Sequence, residues 1–227
     1  MSEDRENPVL DRRGLGKYRI EALADGIFAV AMTLLVLDIK SPENRNFETA
    51  GDLVTYLAAL EHSFAMYVIS FFVLAIFWIA HHVLFHFVRQ VNRRLIWLNI
   101  AFLLLVTFVP FSTDLLGDHG HLTLPALVYG ANLLALGSLL VFQLRYLVAN
   151  PELAAADFSP VVVAHMGRDI KLLAAVPLAS MAVSLVSPRT GMYLYLLLAI
   201  PTFAPSRLDR LLHSGAATRA DSIREDS

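Results

Sequence analysis

Two residues inside one membrane-length apolar run carry the first chemical signal in this chain. The run extends from Arg19 to Lys40, with Asp25 near its start and Thr33 at its middle. Hydrocarbon penalises ionisable and polar groups, so such groups inside a spanning segment face a partner or a water-filled space. At about 100° per residue on a helix, Gly26, Val30, Thr33 and Leu37 fall on one stripe. If several copies met around an axis, Val30 and Leu37 would form apolar rings with a Thr33 ring between them. Apolar constrictions gate by dewetting, and a hydroxyl ring can replace part of an ion's hydration shell. The competing reading is a packing face, because small residues at this spacing let transmembrane helices approach one another.

Asp25 lies six positions after Arg19, so the two do not share a helix face. Arg19 is expected to snorkel to the interface. Asp25 is expected to reach a donor on another helix, with His81, His82, Asn92 and Asn99 as candidates. A structural polar knot is one reading, and a proton or ion relay is the other. His82 and His86 stand four apart, a spacing at which two imidazoles can share a metal. No third ligand lies on the same turns, so hydrogen bonding to neighbouring helices is the expected role and no metal site is assigned. The nucleophile-elbow, P-loop, dinucleotide and His-Glu-x-x-His patterns are absent, which leaves no hydrolase or transferase constellation. No cofactor is expected.

The elements that must position these residues are set by composition. Of 227 residues, 56% are hydrophobic and 17% charged, and the mean hydropathy is +0.58. Soluble domains run at about 45–50% apolar and about 25% charged. The excess is gathered in blocks long enough to cross a bilayer as helices. Six spans are expected, at Ile20–Ile39, Leu53–Ala80, Leu95–Leu116, Pro125–Val148, Ile170–Val186 and Met192–Pro205, with Leu153–Ala164 as an interfacial loop or short helix. The fold class is therefore an all-α integral membrane protein with six transmembrane helices. Residues 1–18 form an N-terminal segment, 19–206 the membrane domain and 207–227 a polar tail. The formal net charge of −2 gives no reason to expect nucleic acid as a partner, and with no cysteine there is no disulfide or thiolate site.

Six spans place both termini on one side. That side holds all but Lys40, Arg45 and Arg189 of the 18 Lys and Arg residues. Cytoplasmic loops carry the Lys/Arg excess, so both termini are expected in the cytoplasm. The opposite loops carry Asp38, Glu43, Glu48, Asp52, Asp114 and Asp118, a mouth that could concentrate cations.

These residues also resemble a known family, the transmembrane protein 175 potassium channels in their single-repeat prokaryotic form. The resemblance lies in Arg19, in Asp25-Gly26, in Thr33-Leu34-Leu35-Val36-Leu37-Asp38 and in Trp78-Ile79-Ala80-His81-His82. Asn92, Asn99, Pro110 and Phe111 add to it. The resemblance implies a homotetramer in the plasma membrane, with the first helix of each subunit lining a central pore for potassium and related cations. Val30, Thr33 and Leu37 would then be the constriction and selectivity positions. Arg19, Asp25, Gly26, Trp78, His81, His82 and Asn99 would form a structural polar network. The chain departs from the family's Phe-Ser-Asp element by carrying Leu23-Ala24 before Asp25, which removes one hydroxyl.

A passive potassium-preferring cation channel is the leading expectation. A proton- or ion-coupled transporter using Asp25 and nearby histidines is the alternative, although no repeat or matched pair of broken helices supports it. A non-conducting scaffold or small membrane enzyme is a third class.

Overall fold

Long apolar blocks with capped ends fold here as antiparallel helices. A computed structural model describes residues 11–39, 47 and 49–195. The described elements are α1 (Asp11–Leu34) continued by a 3-10 turn (Leu35–Asp38), α2 (Ala50–Ala59), α3 (Glu61–His86), α4 (Arg93–His119), α5 (Thr123–Ala149), α6 (Pro160–Ser184) and α7 (Pro188–Leu194). Their starts follow local capping chemistry. The Thr49 hydroxyl and Asp52 carboxylate form a reciprocal capping box at α2. The Asn92 side chain accepts from the Leu95 amide at 2.9 Å, and Ser159 followed by Pro160 opens α6. Each side-chain cap satisfies an amide that the helix itself leaves unpaired.

Among the described residues, four helices are long and apolar enough to cross a membrane: Gly16–Asp38, Glu61–His86, Arg93–His119 and Thr123–Ala149. The described part of the chain is thus all-helical, with helices of the kind that cross a membrane. α5 is packed between α4 and α6, and α1 lies against α3 and α4. The core runs through Phe28, Phe77, Phe102, Leu133 and Leu136, all essentially inaccessible. The contact between α5 and α6 needs a glycine. A Cβ on Gly137 would stand 2.8 Å from the Leu173 carbonyl oxygen, so only a residue without a side chain lets the two backbones approach this closely.

Three expected spans, Leu53–Ala80, Ile170–Val186 and Ile20–Ile39, have other bounds in the structure. The run expected at Leu53–Ala80 is two helices broken at Leu60, and the second continues to His86. The segment 160–164 is the first turn of α6 rather than an interfacial loop or a short helix of its own, so Arg168, Asp169 and Lys171 lie inside a helix that begins ten residues before the expected Ile170. Ser159 and Pro160 supply that earlier start, and tertiary packing against α5 carries the charged turn. The expected span Met192–Pro205 meets only the end of α7, and its remainder lies outside the described residues, as do the expected tail 207–227 and part of the expected segment 1–18. α1 itself begins at Asp11, ahead of the expected Ile20.

Candidate functional site

α1 buries one stripe and exposes the other. Ala24, Phe28, Ala31 and Leu35 are each at most 1% accessible. Gly26, Val30, Thr33 and Leu37 are all exposed, with Leu37 at 71% and Val30 at 58%. At about 100° per residue the two stripes are offset by roughly half a turn. The buried one packs on α3 and α4, and the exposed one points away from the protomer. Leu23, Leu34 and Val36 widen the exposed apolar face.

Thr33 sits within that face. Its hydroxyl donates to the Val30 carbonyl at 2.8 Å. The proton is thereby committed to the helix, and the oxygen keeps its acceptor lone pairs. Beyond Thr33 the helix tightens into the 3-10 turn Leu35–Asp38, which carries Leu37. Gly26 has open space where a Cβ would be.

Asp25 is held from α3. The indole N–H of Trp78 donates to its carboxylate at 2.8 Å, and the Trp78 ring stacks on His82 with centroids 5.5 Å apart. None of the four donors expected from sequence makes this bond. An indole is a donor only, and its place four residues before His82 is the signal that would have pointed to it. His81 points elsewhere: it is 2% accessible and hydrogen-bonds Asn99 Oδ1 at 2.7 Å, between the rings of Phe85 and Phe102. Asn92 bonds the Tyr146 hydroxyl at 2.8 Å. Direct contacts thus join the expected network in two groups, Asp25–Trp78–His82 and His81–Asn99. Arg19 is exposed and is not among the residues brought to Asp25. The neighbouring Lys17 instead donates to the His86 carbonyl at 3.3 Å, tying the start of α1 to the end of α3.

Ala24 is fully buried while Leu23 is half exposed. The hydroxyl missing at position 24 would thus lie in the contact between helices, where Ala packs without a partner. Sequence reading missed a second polar chain in the bundle. Thr113 donates to the Ser70 hydroxyl at 2.9 Å, and Ser70 bonds the Tyr129 hydroxyl at 3.0 Å, linking α3, α4 and α5. Among the described residues no three His, Asp or Glu side chains converge as metal ligands would.

Comparisons with known proteins point one way. The family described as "Endosomal/lysosomal potassium channel TMEM175" matches residues 19–110. A potassium channel of Streptomyces collinus is 44% identical over 101 residues, covering 44% of this chain and 48% of that protein. A potassium channel of Chamaesiphon minutus is 41% identical over 121 residues, covering 52% of this chain and 59% of that one. The match thus spans about half the length of these curated relatives. Among solved structures, the crystal structure of a lysosomal potassium-selective channel TMEM175 homolog from Chamaesiphon minutus superposes with a TM-score of 0.71. It is 31% identical, and the match covers 82% of this chain and 95% of that one.

Proposed function

This chain belongs to the TMEM175 channel family, and from that premise we propose that it is a passive, potassium-preferring cation channel of the cell membrane. In this reading the subunit crosses the bilayer six times with both termini in the cytoplasm, and four copies assemble around the exposed stripe of α1. Val30 and Leu37 are the apolar rings, and Thr33 lies between them. The observation that carries the reading is the exposure of this stripe, which includes a hydroxyl, on a helix whose opposite stripe is sealed into the protomer.

The mechanism uses no cofactor. A dehydrated potassium ion needs oxygen donors to offset its lost hydration, and the Thr33 oxygen is an available acceptor because its proton is already bonded to Val30. Apolar rings above and below exclude bulk water when the pore is narrow. The side-chain rings stand in for a carbonyl filter, and the Thr-Val-Gly-Tyr-Gly sequence of such filters is absent. Positive charge at the cytoplasmic side and acidic residues on the other side give the mouths opposite polarity.

The coupled-transporter reading has less support. The hydrogen-bond partner of Asp25 is an indole, which does not exchange protons at ordinary pH, and neither His81 nor His82 bonds the carboxylate directly.

The decisive experiment is a planar-bilayer recording from purified protein under a potassium/sodium gradient. The wild-type reversal potential is expected to be displaced toward potassium, and Thr33→Ala is expected to move it toward zero. Conduction with an identical reversal in the variant would remove Thr33 from the pore. Folded, oligomeric protein without cation flux would remove the channel reading.

A further inference from the structure

The charged turn inside α6 borders a cavity of the bundle. It lies between α5 and α6, has a volume of about 370 Å³, and is lined by Leu144, Arg145, Val148, Ala164, Gly167 and Lys171 among others. Its walls are apolar except for the two cations, and no Asp or Glu lines it. Arg145 stands four residues before the C-terminal end of α5, and Lys171 is the twelfth residue of α6. Both are exposed, and no ion pair with a described residue is found for either. The adjacent Arg168 differs, since its guanidinium pairs with Asp169 at 3.3 Å.

A cation on the flank of a membrane helix is costly unless it meets an anion or snorkels to the interface. Here two of them flank one groove on adjacent helices, and the groove itself offers only aliphatic surface. This combination matches an amphiphile with a negative head and a hydrocarbon tail. Basic pockets between transmembrane helices take anionic lipid head groups for the same reason.

We propose that the groove between α5 and α6 binds one anionic phospholipid. Its phosphate is held between Arg145 and Lys171, and an acyl chain lies against Leu144, Val148, Ala164 and Gly167. Gly167 lines the groove on the α6 side, where a Cβ would stand at ordinary contact distance, 3.7 Å, from Leu144. The site is separate from α1; it rests on the six-span reading proposed above and not on conduction.

The test is native mass spectrometry of the purified full chain released from detergent, titrated with phosphatidylglycerol, phosphatidylcholine or glycerol phosphate alone. The wild type is expected to retain phosphatidylglycerol preferentially. Removing one cation (Arg145→Gln or Lys171→Gln) is expected to weaken retention about fivefold, and the double variant more. Lys171→Arg is expected to keep it. Ala164→Trp, at an exposed position, fills the groove without touching either charge and is expected to reduce retention. Arg168→Gln is the control and is expected to change nothing. Equal retention of both lipids, or of phosphatidylglycerol by wild type and double variant, would overturn the proposal. Glycerol phosphate binding as tightly as the lipid would reduce the site to an anion site and also overturn it. A change in subunit number in the double variant, with lipid retention intact, would make the groove a contact between copies and overturn it likewise.

Discussion

The indole of Trp78 in α3 donates to the carboxylate of Asp25 in α1 over 2.8 Å. With Lys17 bound to the carbonyl that ends α3, this bond fixes the height and rotation of α1 against its neighbour. The exposed stripe of α1 therefore points where it does partly because of a polar contact made on its flank.

Replacing Trp78 by Phe keeps the ring against His82 and deletes the donor. The expected loss of stability is about 1–2 kcal/mol, toward the low end for a hydrogen bond to a carboxylate because Asp25 is exposed. Thermal unfolding in detergent measures it. Asp25→Asn retains an acceptor and should cost less. A Trp78→Phe protein as stable as wild type would show that the bond does not hold α1 in place.

His81 and Asn99 form a buried, hydrogen-bonded pair. Asn99→Leu leaves the imidazole nitrogen without its partner, at an expected cost of about 1–3 kcal/mol. Converting both, His81→Phe with Asn99→Leu, should cost less than the sum of the single changes, because no orphaned group remains. The double-mutant cycle reads the coupling directly, and strict additivity would count against a bonded pair.

Two glycines of the α5–α6 contact should respond in opposite senses. At Gly137 an added Cβ meets the Leu173 carbonyl at 2.8 Å, and a backbone atom cannot swing aside. Gly137→Ala is expected to destabilise by about 1–3 kcal/mol. At Gly167 the nearest atom is a Leu144 methyl at 3.7 Å, so Gly167→Ala should be neutral or stabilising by up to about 1 kcal/mol through helix propensity. Equal unfolding temperatures for the two variants would contradict the packing described for this contact.

Leu37 is the most exposed apolar residue of the α1 stripe at 71% accessible. If it lines an apolar constriction, Leu37→Asn wets the ring and raises single-channel conductance, with a smaller preference for potassium. Unchanged conductance in bilayer recordings would place the narrowest ring elsewhere. Leu35→Asn, on the buried stripe, is expected to impair folding instead of conductance, since it places an amide in the contact with α3 and α4.

The amino-acid sequence determined the helical class, because the apolar blocks are longer than any other element needs. It also marked Gly26, Val30, Thr33 and Leu37 as one stripe, since spacing on a single helix is a local property. It did not determine which stripe of α1 is buried. α1 is apolar on both sides over Ala24–Leu37, so periodicity offers no contrast there, and only packing on α3 and α4 chose Ala24, Phe28, Ala31 and Leu35. The partner of Asp25 was hidden for a related reason. Contacts between helices depend on their relative height and rotation, and those follow from the whole set of packed side chains and not from any one segment. The break at Leu60 and the early start of α6 are of the same kind: hydropathy alone joins or trims such runs, whereas the folded chain ends a helix where a neighbour or a cap meets it.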